Sequence, residues 1–258
     1  MWTRGNLLSL GAGLFIALAA ANASANTYNI DWMSLAPTPF GSAPPFVSSY
    51  NLAGIGTVNM TYSANSDFVE ARLQVPQLAA GSVSYAGDSY AWTNQETLAR
   101  TNWGFSGIIN SSWFVTYTFP GTVPASKLVL GVQGLGRRDP NPGETTADAT
   151  TEAIVLQNGT HFGDFTGALN VGPTQYTPGA GMFSMINSLS GPGGADPWWN
   201  TGLAVVRIDD AVNALTVRID QTSGDGIGVN IGVITPEPAT AALLVTGSLV
   251  ALRRRAQR

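Results

Sequence analysis

Along much of the chain, apolar residues recur at every second position. Residues 67–75 place Val69, Ala71, Leu73 and Val75 on one side and Glu70, Arg72 and Gln74 on the other. A period of two marks a half-buried strand, because successive side chains leave opposite faces of the pleat. Residues 112–119 repeat it, with Trp113, Val115, Tyr117 and Phe119 against Phe114, Thr116 and Thr118. From Lys127 to Gly134 a third run puts Leu128, Leu130 and Val132 on one face. Pro120, Gly121 and Pro124 read as the connection between these two strands. The last third predicts a three-stranded meander. Its first strand is Leu203 to Ile208, and its second has Leu215, Val217 and Ile219 inside with Thr216, Arg218 and Asp220 outside. In its third, Ile227, Val229, Ile231 and Val233 alternate with Gly228, Asn230 and Gly232. Asp209 to Asn213 and Ser223 to Gly226 supply the turns. A face built largely of glycine implies that a bulky ring or another backbone lies against it. Asp88 to Arg100 predicts one or two helical turns. Short strands, frequent turns and few helix signals predict an all-β chain folded as a jelly-roll-like β-sandwich.

Both ends depart from this pattern. Arg4, the apolar run Leu7 to Ala21 and the small residues Ala23-Ser24-Ala25 form a signal helix with a signal-peptidase site at Ala23 and Ala25, cut after Ala25. An ordinary surface helix would carry a polar face, and this run has none. At the other end, Pro236-Glu237-Pro238 precedes the uncharged stretch Ala239 to Leu252, which Arg253, Arg254 and Arg255 stop. A membrane span takes about 20 apolar residues, so this hydrophobic helix is short for a permanent anchor. Its terminal position and arginine stop follow the positive-inside pattern.

The order Pro-Glu-Pro, apolar helix, arginine cluster resembles the PEP-CTERM sorting tail over residues 236–258. The resemblance implies that an exosortase recognises Pro236, Glu237 and Pro238, with Arg253, Arg254 and Arg255 as the basic stop. It also implies export through the inner membrane of a Gram-negative, exopolysaccharide-producing bacterium, with the membrane held through the C-terminal helix until processing. Thr246 and Ser248 make this helix less apolar than the richest examples. The chain thus divides into a signal peptide (1–25), a secreted β domain (26–234) and a sorting tail (235–258).

Charge narrows the partners of the β domain. The chain has 12 Lys+Arg and 16 Asp+Glu, of which Arg4, Arg253, Arg254, Arg255, Arg258 and Glu237 lie in the end segments. Seven basic and 15 acidic residues remain, a net charge of −8 that repels nucleic acid. The chain has no cysteine, which removes disulfides and thiolate chemistry and leaves stability to an apolar core. Thirty glycines and 15 prolines with 11% charged residues fit an extracellular β protein rich in turns.

Catalytic signatures are scarce. His161 is the one histidine, and no G-x-S-x-G elbow presents a serine to it, so it reads as a loop or strand-end residue. The Gly226–Gly232 run has the wrong spacing for a dinucleotide fingerprint and lies on a strand. No cofactor or metal is expected. Asp139, Asn141 and Glu144, and separately Asp209 and Asp210, are oxygen-rich, but neither set has EF-hand spacing and both read as solvated loops before calcium sites. Trp198-Trp199, in a loop rich in glycine and proline, are the candidate glycan-binding residues. Neighbours in an extended segment point to opposite sides, which leaves one indole free to stack on a sugar ring; the other reading has both rings capping the core. Three functions follow: a non-enzymatic surface or matrix protein that binds exopolysaccharide, a secreted polysaccharide hydrolase with an unrecognised carboxylate pair, and a self-associating structural protein.

Overall fold

The computed structural model describes residues 25–33, 46–64, 71–78, 81–93, 95–100, 111–138, 149–164, 174–187, 200–221 and 227–236. Residues 1–24, the tail beyond Pro236, the Asp139–Glu144 loop and Trp198-Trp199 lie outside them. Sixteen strands and no helix occupy the described residues. Among those residues no helix is long and apolar enough to cross a membrane.

The strands form two sheets packed as a sandwich. The first runs β2 (Phe46–Leu52), β3 (Gly56–Ala64), β8 (Ser111–Val123), β15 (Val212–Gln221), β10 (Ala149–Val155), β13 (Met182–Asn187), β12 (Thr174–Gly179). The second runs β11 (Gly159–Gly163), β14 (Asn200–Ile208), β9 (Leu128–Arg138), β16 (Ile227–Pro236), β1 (Thr27–Trp32), β6 (Asp88–Trp92), β5 (Gly81–Tyr85). A further strand, β7 (Gln95–Arg100), pairs with the start of β16, and β4 (Ala71–Leu78) pairs with β7. The sheets join at a corner where Arg138 and Arg137 pair with Ala149 and Thr150. From β8 to β16 the chain alternates between sheets, apart from the β12–β13 hairpin, so the path is that of a jelly roll.

Alternation built the first core. Trp113, Val115, Tyr117 and Phe119 of β8 and Leu215, Val217 and Ile219 of β15 are buried between the sheets, while Thr116, Arg218 and Asp220 reach solvent. Trp113 lies 5.1 Å from Tyr62, a ring pair worth about 1 kcal/mol beyond burial. The buried hydroxyl of Tyr117 donates to the Val229 carbonyl at 3.3 Å, and burial pushes its pKa well above the ordinary phenol range.

Three local expectations need correction. The strands of the expected meander exist but do not pair with one another. β9 lies between β14 and β16, and β15 belongs to the opposite sheet, between β8 and β10. The physical reason is two-sided burial: Ala204, Val205, Val206 and Ile208 of β14 are all covered, which a half-exposed meander cannot provide. Asp88 to Arg100 is not helical but forms β6 and β7, Tyr90 and Trp92 being buried at strand spacing. Pro120 and Gly121 lie inside β8, near an irregularity opposite Val212–Ala214, and the turn proper is Pro124 to Lys127, closed by the Lys127 amide on the Pro124 carbonyl at 3.3 Å. β16 runs on to Pro236, which pairs with Tyr28, as Thr235 does with Asn29.

Candidate functional site

The second sheet buries both its faces. One packs on the first sheet; the other curls until β5 lies beside β11, enclosing Ile30, Val83, Tyr90, Trp92, Val129, Phe162 and Val205. Glycine makes room for this curl. A Cβ on Gly232 would stand 2.7 Å from Ile30 Cγ2 and 2.9 Å from Trp32 Cε3, so the glycine face of β16 does receive a bulky ring.

The curl has a mouth at one end, where β1 and β6 begin and β5, β14 and β16 finish. The β5–β6 turn is two residues long, with Ala86 at φ 52° and Gly87 at φ 90°, as a type I′ hairpin needs. This tight turn sets Tyr85 opposite Asp88. Tyr85 stacks on Phe162 with centroids 5.0 Å apart, Phe162 lies 4.4 Å from Tyr90, and Tyr90 stacks on Tyr28 at 5.2 Å. Phe162 and Tyr90 are buried, but Tyr85 is 37% exposed, so one face of its ring is held by Phe162 while the ring still meets solvent.

Polar groups border this aromatic row. The Arg207 guanidinium lies over Phe162 at 5.3 Å and its Nε donates to Asp209 Oδ1 at 2.7 Å. The Thr160 hydroxyl donates to Asp209 Oδ2 at 2.6 Å. Asp88 accepts from the backbone and side-chain amides of Asn26 at 2.9 and 3.1 Å. Burial, then the Asp88 carboxylate, holds the Tyr90 phenol above its ordinary pKa, with Arg207 opposing, so the ring stays a neutral hydroxyl at physiological pH.

Beside the mouth, His161 on β11 stacks on Tyr176 at 5.6 Å and shares a 2.9 Å hydrogen bond with Asp164, whose other oxygen accepts from the Thr174 amide. That is a strand-edge histidine tied into the fold. Asp210 accepts from the Asn158 backbone and side-chain amides at 2.6 and 3.0 Å, and these hold its carboxyl below the usual range. The Asp209–Asp210 oxygens are thus committed to the fold. Among the described residues no cluster of three or more His, Cys, Asp or Glu is placed to hold a metal.

Trp198 and Trp199, the candidate glycan-binding residues from the sequence, lie outside the described residues. Tyr85, Asp88, Thr160, Phe162 and Arg207 were not singled out, because they are scattered over more than a hundred positions. The short Tyr85-Ala86-Gly87-Asp88 turn was the one local signal for them.

No family model and no curated protein matches the chain. Among solved structures, it is similar to the family 11 carbohydrate-binding module from Clostridium thermocellum in complex with beta-1,3-1,4-mixed-linked tetrasaccharide. The likeness has 10% identity and a TM-score of 0.25, over 79% of this chain and 98% of that one.

Proposed function

We propose that the chain is an exported, non-enzymatic surface protein whose curled sheet holds a polysaccharide at its mouth. The observation that carries this is Tyr85: an exposed phenol ring fixed from behind by Phe162, which in turn packs on Tyr90. A pre-placed ring offers a sugar an apolar surface at little entropic cost, and Asp88, Thr160 and Arg207 are the polar groups that border the aromatic row. The signal segment with its signal-peptidase site carries the chain across the inner membrane, and an exosortase acts at Pro236, Glu237 and Pro238.

The rival hydrolase needs two carboxylates opposed across a cleft, one of them free to hold a proton. At the mouth, Asp209 is bound to Arg207 and Thr160, and Asp88 to Asn26, which favours binding without cleavage. Self-association through an edge calls for a long apolar strand. The outward row of edge strand β2 is instead Val47, Ser49 and Asn51.

Two experiments test the reading. Incubation of the purified protein with a panel of insoluble polysaccharides should retain it without liberating reducing ends; release of reducing sugar would replace binding by hydrolysis. Replacing Glu237 and Pro238 by alanine should leave the melting temperature alone and leave uncut protein in the inner membrane. Arrival of that variant at the surface with unaltered mass would remove the exosortase from the account.

A further inference from the structure

The Asn26 nitrogen lies 2.9 Å from Asp88 Oδ1 at the entrance of the candidate site. Asn26 is the first residue after Ala25, where the signal-peptidase reading places the cut, and the inference rests on that reading. Hydrolysis breaks the Ala25–Asn26 C–N bond: water gives its hydroxyl to the Ala25 carbonyl carbon and a proton to the Asn26 nitrogen. The free amine then takes another proton from solvent and becomes an ammonium. A neutral amide in hydrogen-bond contact with a carboxylate is thereby replaced by a cation in the same place.

We propose that Asp88 is the receptor for the new N-terminus, and that leader removal completes the mouth by forming an Asn26 ammonium–Asp88 ion pair.

The surroundings are arranged for it. The Asn26 carbonyl accepts from the Ser89 amide at 2.9 Å, and Thr27 pairs with Ser89, so Asn26 is fixed from both its backbone ends. Its side-chain amide reaches the same Asp88 oxygen at 3.1 Å. β1 lies between β6 on one side and β16 on the other, and a cut before Thr27, its first paired residue, leaves both ladders intact. On the β6 and β5 side the titratable groups around Asp88 are the phenols of Tyr90, Tyr28 and Tyr85, and burial holds that of Tyr90 above its ordinary pKa. Arg207, the nearby cation from β14, is committed to Asp209, and on the β16 side the Lys127 ammonium is held by the Ile234 carbonyl at 2.6 Å. Nothing in that set competes for Asp88.

An α-amine titrates ordinarily near pH 8, and a neighbouring carboxylate raises this by favouring the charged form. The pair therefore stabilises fully below the unfolded amine's pKa, and its contribution is lost as pH rises through the raised folded value.

Lys127 is the chain's single lysine, so reductive methylation with 13C-formaldehyde labels two amines in the exported, leader-free protein. Intact mass first establishes the starting residue, and the two resonances are then titrated by NMR. The expected result is a start at Asn26 and an α-amine pKa raised by about half to one unit, discounted for exposure. Asp88→Asn should return it to the ordinary value while leaving the Lys127 resonance in place. An Asn26 start with an ordinary pKa overturns the inference and leaves the export reading standing. A different starting residue overturns the cut-site reading and the inference with it. Should Asp88→Asn fail to accumulate, the wild-type titration alone decides.

Discussion

At the scale of single residues, the fold commits its charged groups close to where they are needed. Asp210 illustrates the sign of such a commitment. The two Asn158 amides hold its carboxyl below the ordinary value, so they stabilise the folded state above about pH 4, and that contribution is lost as pH falls through the depressed folded pKa. Asn158→Ala removes the side-chain donor at 3.0 Å and also the acceptor that the Gly181 amide uses, also at 3.0 Å. Melting curves between pH 5 and 3 should fall less steeply in that variant than in the wild type, and an unchanged slope would mean that Asp210 is not coupled to Asn158 in solution. Tyr85, by contrast, stacks on Phe162 and stays partly uncovered.

At the scale of elements, the glycine face of β16 was legible in the amino-acid sequence: Gly228 and Gly232 among Val229, Ile231 and Val233 announced a close ring. Trp32 is that ring. Gly232→Val should therefore displace β1 and lower stability by about 1–3 kcal/mol through overpacking, seen as a drop in melting temperature; an unchanged melt would mean that β1 docks elsewhere. Strand existence was equally legible where one face is buried, as in β8 and β15. Pairing was not. Consecutive strands neighbour each other only about two-thirds of the time, and in this sandwich β14, β15 and β16 cross between sheets at each turn. β6 escaped because only Ala91 separates Tyr90 from Trp92, and an apolar spacer hides a period of two. The mouth was the least legible part, since Tyr85, Phe162 and Arg207 share no sequence neighbourhood and only the curl of the second sheet brings them together.

At the scale of the whole molecule, the two ends of the β domain leave side by side. Tyr28 pairs with Pro236, so the proposed signal-peptidase cut and Pro236, the first residue of the proposed sorting motif, lie at one pole, next to the mouth. Closing β1 onto β16 also joins segments about as far apart as the described chain allows. The last two ladder residues should matter. Thr235 donates to Asp31 Oδ2 at 2.9 Å and pairs with Asn29. A chain spanning residues 26–236 should therefore melt higher than one spanning 26–234, by about 2–6 °C for roughly 1–1.5 kcal/mol of lost hydrogen bonding. Equal melting temperatures would mean that the domain ends at Ile234.

Tyr85 is the proposed binding platform. Aromatic stacking contributes about 1–3 kcal/mol per ring for nucleic-acid bases, and a saturated sugar sits toward the low end. Affinity electrophoresis of wild type and Tyr85→Ala through gels containing a retained polysaccharide measures the effect directly. The expected result is a loss of about tenfold in affinity, equivalent to roughly 1.4 kcal/mol, with a melting temperature close to that of the wild type. Equal retardation of the two proteins would contradict the account and take the mouth out of consideration as the binding site.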